Sequence, residues 1–248
     1  MNLVSDFYQR DESLRALIRK LTLNKDAFTL DVGCKKGDTS RAIRENVNGM
    51  VGLDLEFHKE WLTMDELIHF VNGNALTLPF LNNSFSMAVA GECLQYIPSP
   101  ETVIDEICRV LKNDGELVMS FPEGGPFATY LDPYNLALIP KLLYRPSEVK
   151  KKFVTHLKAK DILTHCQAGW ICKNHYRQGS ILFIYVACII DILQSVRKRL
   201  ISSGGIFRIS GEWIIKPVIK LFFVLMKLDF AIPWSFLSYN NVIRLRKI

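Results

Sequence analysis

Apolar residues in the first half of the chain fall into short strand-length runs separated by stretches of helical period. Residues 27–32, reading Ala-Phe-Thr-Leu-Asp-Val, are one such run, and residues 50–55 and 85–90 are two more. Between and before them, residues 5–22 place Leu14, Leu17, Ile18 and Leu21 at helical spacing, with Arg and Lys between. Further helices are expected at about 39–46, 59–70 and 99–111. The last opens on Ser99-Pro100-Glu101 and stops at Asn113-Asp114-Gly115, a C-cap signal. Only Val71 is left as a strand residue before Asn72-Gly73-Asn74. Residues 79–83 read as a loop, and residues 116–121 as a fifth strand. Strands that alternate with helices over 27–121 predict a doubly wound α/β sheet with right-handed crossovers.

The pattern changes beyond residue 122. A Glu-Gly-Gly-Pro-Phe loop leads into a helical apolar stretch over 131–143, then a lysine-rich stretch over 149–160. Residues 161–167 read as a helix ending at Ala168-Gly169, residues 170–176 as a strand, and residues 239–247 alternate like a final strand. Two helices are expected between these strands, at 180–201 and 212–230. The first begins with a nearly all-apolar run and ends in Arg197-Lys198-Arg199. In the second, Lys216, Lys220 and Lys227 lie within roughly 40° of arc at 100° per residue, with a wide apolar face opposite.

Charge sharpens this division. The net formal charge is +6 over 248 residues, but residues 1–140 carry 12 Lys/Arg against 20 Asp/Glu, and residues 141–248 carry 19 against 5. Half the residues are apolar, which excludes a disordered chain. The six cysteines at 34, 93, 108, 166, 172 and 188 include no Cys-x-x-Cys pair, so free thiols in a reducing, cytoplasmic setting are expected. Residues 1–7 are polar and acidic, unlike a secretory leader.

The sharpest chemical signal is Leu30-Asp-Val-Gly-Cys-Lys-Lys-Gly-Asp38. It joins an apolar strand to a helix start through two glycines, Gly33 and Gly37. Glycines there let the backbone approach a ligand closely, as at the carboxyl end of a parallel sheet that binds a nucleotide. A dinucleotide site would show Gly-x-Gly-x-x-Gly, which this loop lacks. Asp54 ends the second strand, where a carboxylate can accept hydrogen bonds from two sugar hydroxyls.

Residues 30–122 resemble the class I S-adenosylmethionine (SAM)-dependent methyltransferases of the small-molecule, quinone-methyltransferase-like type. The resemblance rests on five motifs in order. They are Asp31-Val-Gly33-Cys-Lys-Lys-Gly37, Val51-Gly-Leu-Asp54-Leu55, Gly73-Asn74-Ala75-Leu-Thr-Leu-Pro79-Phe80, Asn83 to Leu94 through Gly91, and Ile107 to Pro122 through Gly115. Three positions depart from the family pattern: Lys35 stands for the middle glycine of the loop, Asn74 for an acid, and Ser86 for an aspartate. The resemblance implies SAM as cofactor, bound by Asp31, Gly33, Gly37, Asp54, Leu55, Asn74, Ala75 and Gly91. It also implies a Rossmann-like sheet of about seven strands with an antiparallel last strand. Ala168-Gly169-Trp170 and the 239–247 run fit the sixth and seventh strands.

On this reading residues 1–178 and 237–248 form the methyltransferase domain, and residues 179–236 are a helical, basic and apolar insertion. Neither apolar run reaches the ~20 residues needed to span a bilayer. A wide apolar face with one basic stripe instead fits an interfacial helix on an anionic membrane. A substrate lid, a homodimer contact and plain core packing are the other uses open to it. The expected function is methyl transfer to a lipid-soluble or lipid-linked small molecule at the cytoplasmic membrane face. A soluble sugar or metabolite methyltransferase and a methyltransferase-fold binding module without catalysis are the alternatives. No Asp/Asn-Pro-Pro-aromatic motif follows the fourth strand, which counts against methylation of nucleic-acid bases. His165-Cys166…Cys172…His175 has no zinc-site spacing, and no metal is expected. Positioning carries most of the rate in such a displacement. No single residue is therefore singled out as base among His58, His156, His165, His175, Tyr8 and Tyr96.

Overall fold

The computed structural model describes residues 28–44, 47–63, 67–122, 154–180, 211–231 and 238–248, with single positions between 189 and 202. The helices expected at 5–22 and 131–143 lie outside these residues. Of the expected 180–201 helix, positions 189, 193, 196, 197 and 199–201 are described and helical, whereas Ser180 is not: it ends a strand that begins at Trp170.

Seven strands form one sheet in the order β3-β2-β1-β4-β5-β7-β6. They are β1 (Phe28–Val32), β2 (Gly49–Asp54), β3 (Ile68–Asn72), β4 (Phe85–Gly91), β5 (Leu111–Pro122), β6 (Trp170–Ser180) and β7 (Ser238–Lys247). The β1–β2, β1–β4, β2–β3 and β4–β5 pairs are parallel, and β7 pairs antiparallel with β5, Glu116 opposite Arg246 and Ser120 opposite Val242. A bidentate ion pair from Arg244 to Glu116, with contacts of 2.7 and 2.9 Å, holds β7 to β5.

Period-2 alternation divides the core between the two faces of the sheet. Leu30, Val32, Leu53, Leu117 and Met119 meet one face with Ile104 and Ile107 of α2 (Pro100–Val110) and Ile162 of α3 (Ala159–His165). Met50, Val89 and Val118 meet Ile43 of α1 (Asp38–Ile43) on the other. Burying that apolar surface on both faces is the main stabilising term.

Two expected elements are corrected. Among the described residues of 59–70 there is no α-helix: a 3-10 turn covers Lys59–Thr63, and Ile68 already begins β3. The apolar residues in that stretch fit a helical period, but strand pairing of Met50 with Ile68 through Asp54 with Asn72 overrides it. β3 is therefore five residues long rather than Val71 alone. The Asn113-Asp114-Gly115 signal does not end α2. The helix stops at Val110, Leu111 is extended, and the turn residues form an irregularity inside β5, with Asp114 at φ 61°.

The chain divides into two compact units. Described residues within 28–122, 154–176 and 240–248 belong to the first; residues 177–180, 211–231, 238–239 and the positions between 189 and 202 belong to the second. In the second unit a π-helical turn, Gly211–Ile215, leads into α4 (Lys216–Ala231). Pro217 sits in the first turn of α4, where its missing N–H costs nothing. Ile219 is fully buried, while Leu221, Val224 and Leu225 are exposed. Among the described residues, no helix is long and apolar enough to cross a membrane.

Candidate cofactor and active site

In the strand order, β1 leads to β2 on one side and β4 on the other, so the chain reverses direction across the sheet between β1 and β4. Ligands of open α/β sheets bind at the carboxyl ends of the strands at such a point. The segments after β1, β2 and β4 converge there.

The loop after β1 is pinned from below. The Gly33 and Cys34 amides both donate to the Leu53 carbonyl, at 2.8 and 3.1 Å. Gly33 is left-handed at φ 72°, and a Cβ there would lie 2.5 Å from the Cβ of Cys93. Only glycine allows the segment after β4 to pack this closely on the loop. Gly37, at φ 80°, donates to the Cys34 carbonyl at 2.8 Å and leads into α1. Asp31 is 2% exposed and accepts a 2.5 Å hydrogen bond from Ser40 Oγ, which ties β1 to α1.

Lys35, in the place of the family's middle glycine, is also left-handed, at φ 47°. That conformation costs a residue with a Cβ roughly 1–2 kcal/mol. Its amide donates to Asp54 Oδ2 at 2.8 Å, and its carbonyl accepts the Trp61 indole N–H at 2.6 Å. The side chain reaches toward the segment after β4. Its Nζ lies 5.6 Å from the centroid of the Tyr96 ring, a cation–π contact, and the residue is solvent-exposed.

Asp54 is the acid at the centre of this arrangement. Besides the Lys35 amide it accepts the Glu56 amide at 3.0 Å, and His58 Nε2 lies 3.9 Å away. Asn72 braces the strand end by donating to the Asp54 and Leu55 carbonyls, and the Gly73 amide donates to the Asp54 carbonyl. Leu55 is 71% exposed beside the carboxylate. Asn74 is exposed and its Oδ1 caps the Leu76 amide at 2.9 Å, while Ala75 is half-buried against the core. Gly91 closes β4, opposite Ser120. Glu92 follows in a left-handed conformation at φ 52°, and Gln95 Nε2 donates to its carboxylate at 3.2 Å.

Burial, followed by the charge of Asp31, pushes the Cys34 and Cys93 thiols well above the ordinary cysteine range. They stay protonated near neutral pH and serve as packing groups rather than nucleophiles. Of the residues considered as bases, His58 and Tyr96 lie at this site. His165 pairs with Asp105 and His175 with Asn241, each at 2.8 Å, on other elements.

Sequence reasoning missed Trp61, Asn72 and Arg109. Trp61 stacks on Phe70, with ring centroids 5.1 Å apart and planes 9° apart. Arg109 donates to the carbonyls of Leu78 and Phe80 and to Asn82 while pairing with Glu106, so it clamps the loop that follows Ala75. A tryptophan seven residues past the strand-end acid was the available signal for the first. Nothing local marked the other two.

Comparison with known proteins agrees with this geometry. Residues 30–119 match the family model described as a methyltransferase domain. Demethylmenaquinone methyltransferase of Bacillus licheniformis is 32% identical over 128 residues, which cover 48% of this chain and 54% of that protein. The enzyme of the same name from Oceanobacillus iheyensis is 30% identical over 129 residues, with the same coverage. The chain thus spans about half the length of the curated relatives it matches. The fold is also shared with Burkholderia thailandensis 1,6-didemethyltoxoflavin-N1-methyltransferase, solved with 1,6-didemethyltoxoflavin and S-adenosylhomocysteine bound. That match has a TM-score of 0.57 at 14% identity and covers 99% of this chain and 81% of that one. The [4+2]-cyclase SpnF shares the fold as well, with a TM-score of 0.61 at 18% identity, covering 96% and 80%. The five ordered motifs, the strand order and the family match together show a methyltransferase domain over residues 30–119.

Proposed function

We propose that this chain transfers a methyl group from SAM to a lipid-soluble or lipid-linked small molecule at the cytoplasmic face of a membrane. The observation that carries the reading is Asp54. Its carboxylate stands at the end of β2, against a loop that turns through left-handed Gly33 and Gly37. That donor set fits a nucleoside: the carboxylate accepts from ribose hydroxyls, Leu55 and Ala75 offer apolar surface to the base, and Asn74 lies beside it. Asp31 and Gly91 act by shaping the two loops that face each other across the switch point. SAM supplies a methyl group on a positively charged sulfur. The chain's own contribution is to bind, align and exclude water, so no dedicated base is required unless the acceptor must lose a proton.

The location rests on residues 179–236, which we assign as a docking insertion on the domain formed by 1–178 and 237–248. α4 displays Leu221, Val224 and Leu225 to solvent, with exposed Lys220 on its basic stripe. Apolar side chains enter the headgroup region while lysine stems reach back to anionic lipid. The quinone-directed names of the relatives favour the same class of acceptor.

Calorimetry with SAM tests the first part: the full chain should bind, and Asp54→Ala should abolish the heat. Absence of binding by the wild-type chain at millimolar SAM would favour a binding module without catalysis. Co-sedimentation with phosphatidylglycerol-containing vesicles tests the second. Binding should weaken with salt and with Leu221→Ser/Val224→Ser, and a chain that stays in the supernatant at low salt points to a lid or dimer contact.

A further inference from the structure

We infer that the segment Glu56–Trp61 is a strap that holds the loop after β1 in its binding shape, with Trp61 as the positioning residue, and that it compensates for Lys35 standing where a glycine would make the loop self-sufficient. This rests on the reading of that loop as a cofactor site. Four contacts carry it. The Trp61 indole donates to the Lys35 carbonyl at 2.6 Å, and the Lys35 amide on the other side of the same residue donates to Asp54 Oδ2 at 2.8 Å. Lys36 pairs with Glu60 at 2.6 Å, and the Glu56 amide returns to Asp54 Oδ1 at 3.0 Å. Lys35 is thus gripped at both of its peptide groups, at the residue whose backbone is left-handed despite its side chain.

The strap has a rigid base. Trp61 stacks flat on Phe70 of β3, and the Phe70 ring lies so close over Gly52 of β2 that a Cβ there would come within 2.8 Å of it. The indole N–H is therefore aimed from the sheet rather than from a free loop. With glycine at position 35 the left-handed turn needs no outside hold. With lysine, loss of the indole bond leaves the residue free to relax to an extended conformation, which carries its amide away from Asp54. Trp61 then acts on the ligand through Lys35 and Asp54 without touching it.

A double-mutant cycle decides the matter, using Trp61→Phe, which keeps the stacked ring and removes only the donor, and Lys35→Gly. The readouts are calorimetric affinity for S-adenosylhomocysteine and hydrogen exchange of the Lys35 amide. Trp61→Phe should weaken S-adenosylhomocysteine about tenfold and speed exchange in the Lys35 background, with less than about a twofold change in the Lys35→Gly background. Equal losses in both backgrounds, or none in either, overturn the strap. If wild-type protein takes up no S-adenosylhomocysteine, the cofactor reading fails. Exchange alone then decides: faster exchange restored by Gly at position 35 supports the strap, and unchanged exchange rejects it. Should Trp61→Phe fail to fold, folding of the double variant supports the strap, and failure of both overturns it.

Discussion

β4 and α4 are both rich in apolar residues, yet they treat them in opposite ways. In β4, Phe85, Met87, Ala88, Val89 and Ala90 are all at most 3% exposed, whereas in α4 Leu221 is 59%, Val224 53% and Leu225 45% exposed. The strand lies between β1 and β5 with helices over both faces, so every side chain meets another. The helix buries Ile219 on one side and leaves the other displayed. Hydrophobicity sets the tendency to leave water, and the surroundings set whether the chain itself supplies the cover. An uncovered apolar stripe of this kind is the observation on which the docking proposal for α4 rests.

That contrast can be broken by substitution. The largest effect is expected at Gly33→Ala, where the new methyl must displace Cys93 and occupy a left-handed backbone. A loss of about 3 kcal/mol in urea unfolding is expected, together with loss of S-adenosylhomocysteine binding. A variant as stable as wild type would show that the close packing of the loop on the β4 segment is not required. Arg109→Met comes next, with a loss of about 1–2 kcal/mol, since it strips partners from part-buried carbonyls and from Glu106.

Arg109 also predicts a pH dependence. Its hydrogen bond holds the Glu106 carboxyl below its ordinary value of 4.5. A carboxyl with a depressed folded pKa contributes stability that is complete above its unfolded pKa and is lost as pH falls through the folded one. The gap between wild type and Arg109→Met should therefore be widest above pH 4.5 and narrow in more acid solution. A gap independent of pH would remove Glu106 from the account. The smallest effect sharpens the comparison from the other side. Leu221→Ser/Val224→Ser should leave unfolding within about 0.5 kcal/mol of wild type, because exposed side chains bury little on folding. A large loss would mean that this face of α4 is covered after all.

The fold was legible to the extent that its signals were local. Alternating runs placed β1, β2, β4 and α2 within a residue or two, and the five motifs located the loops that meet at the switch point. β3 was read as Val71 alone because its side chains match a helical period, and only pairing with β2 distinguishes the two. The start of β5 was missed because Asn-Asp-Gly serves equally as a helix stop and as a bulge. In the site, Asp54 could be read from its place at a strand end. The brace around it could not, because Trp61 and Asn72 act on partners set by the tertiary fold, as does Arg109 on the loop after Ala75.

The antiparallel β7 carries a consequence for how the molecule is made. Its partner on one side, β5, ends at Pro122, and β7 itself begins at Ser238. A ribosome must therefore produce the whole intervening stretch before β5 receives its neighbour. At cellular elongation rates that delay is on the order of ten seconds. Through it the nascent sheet presents an open hydrogen-bonding edge. Pairing of β5 with β7 is therefore a late step of synthesis, and until it forms that edge is open to pairing with another chain.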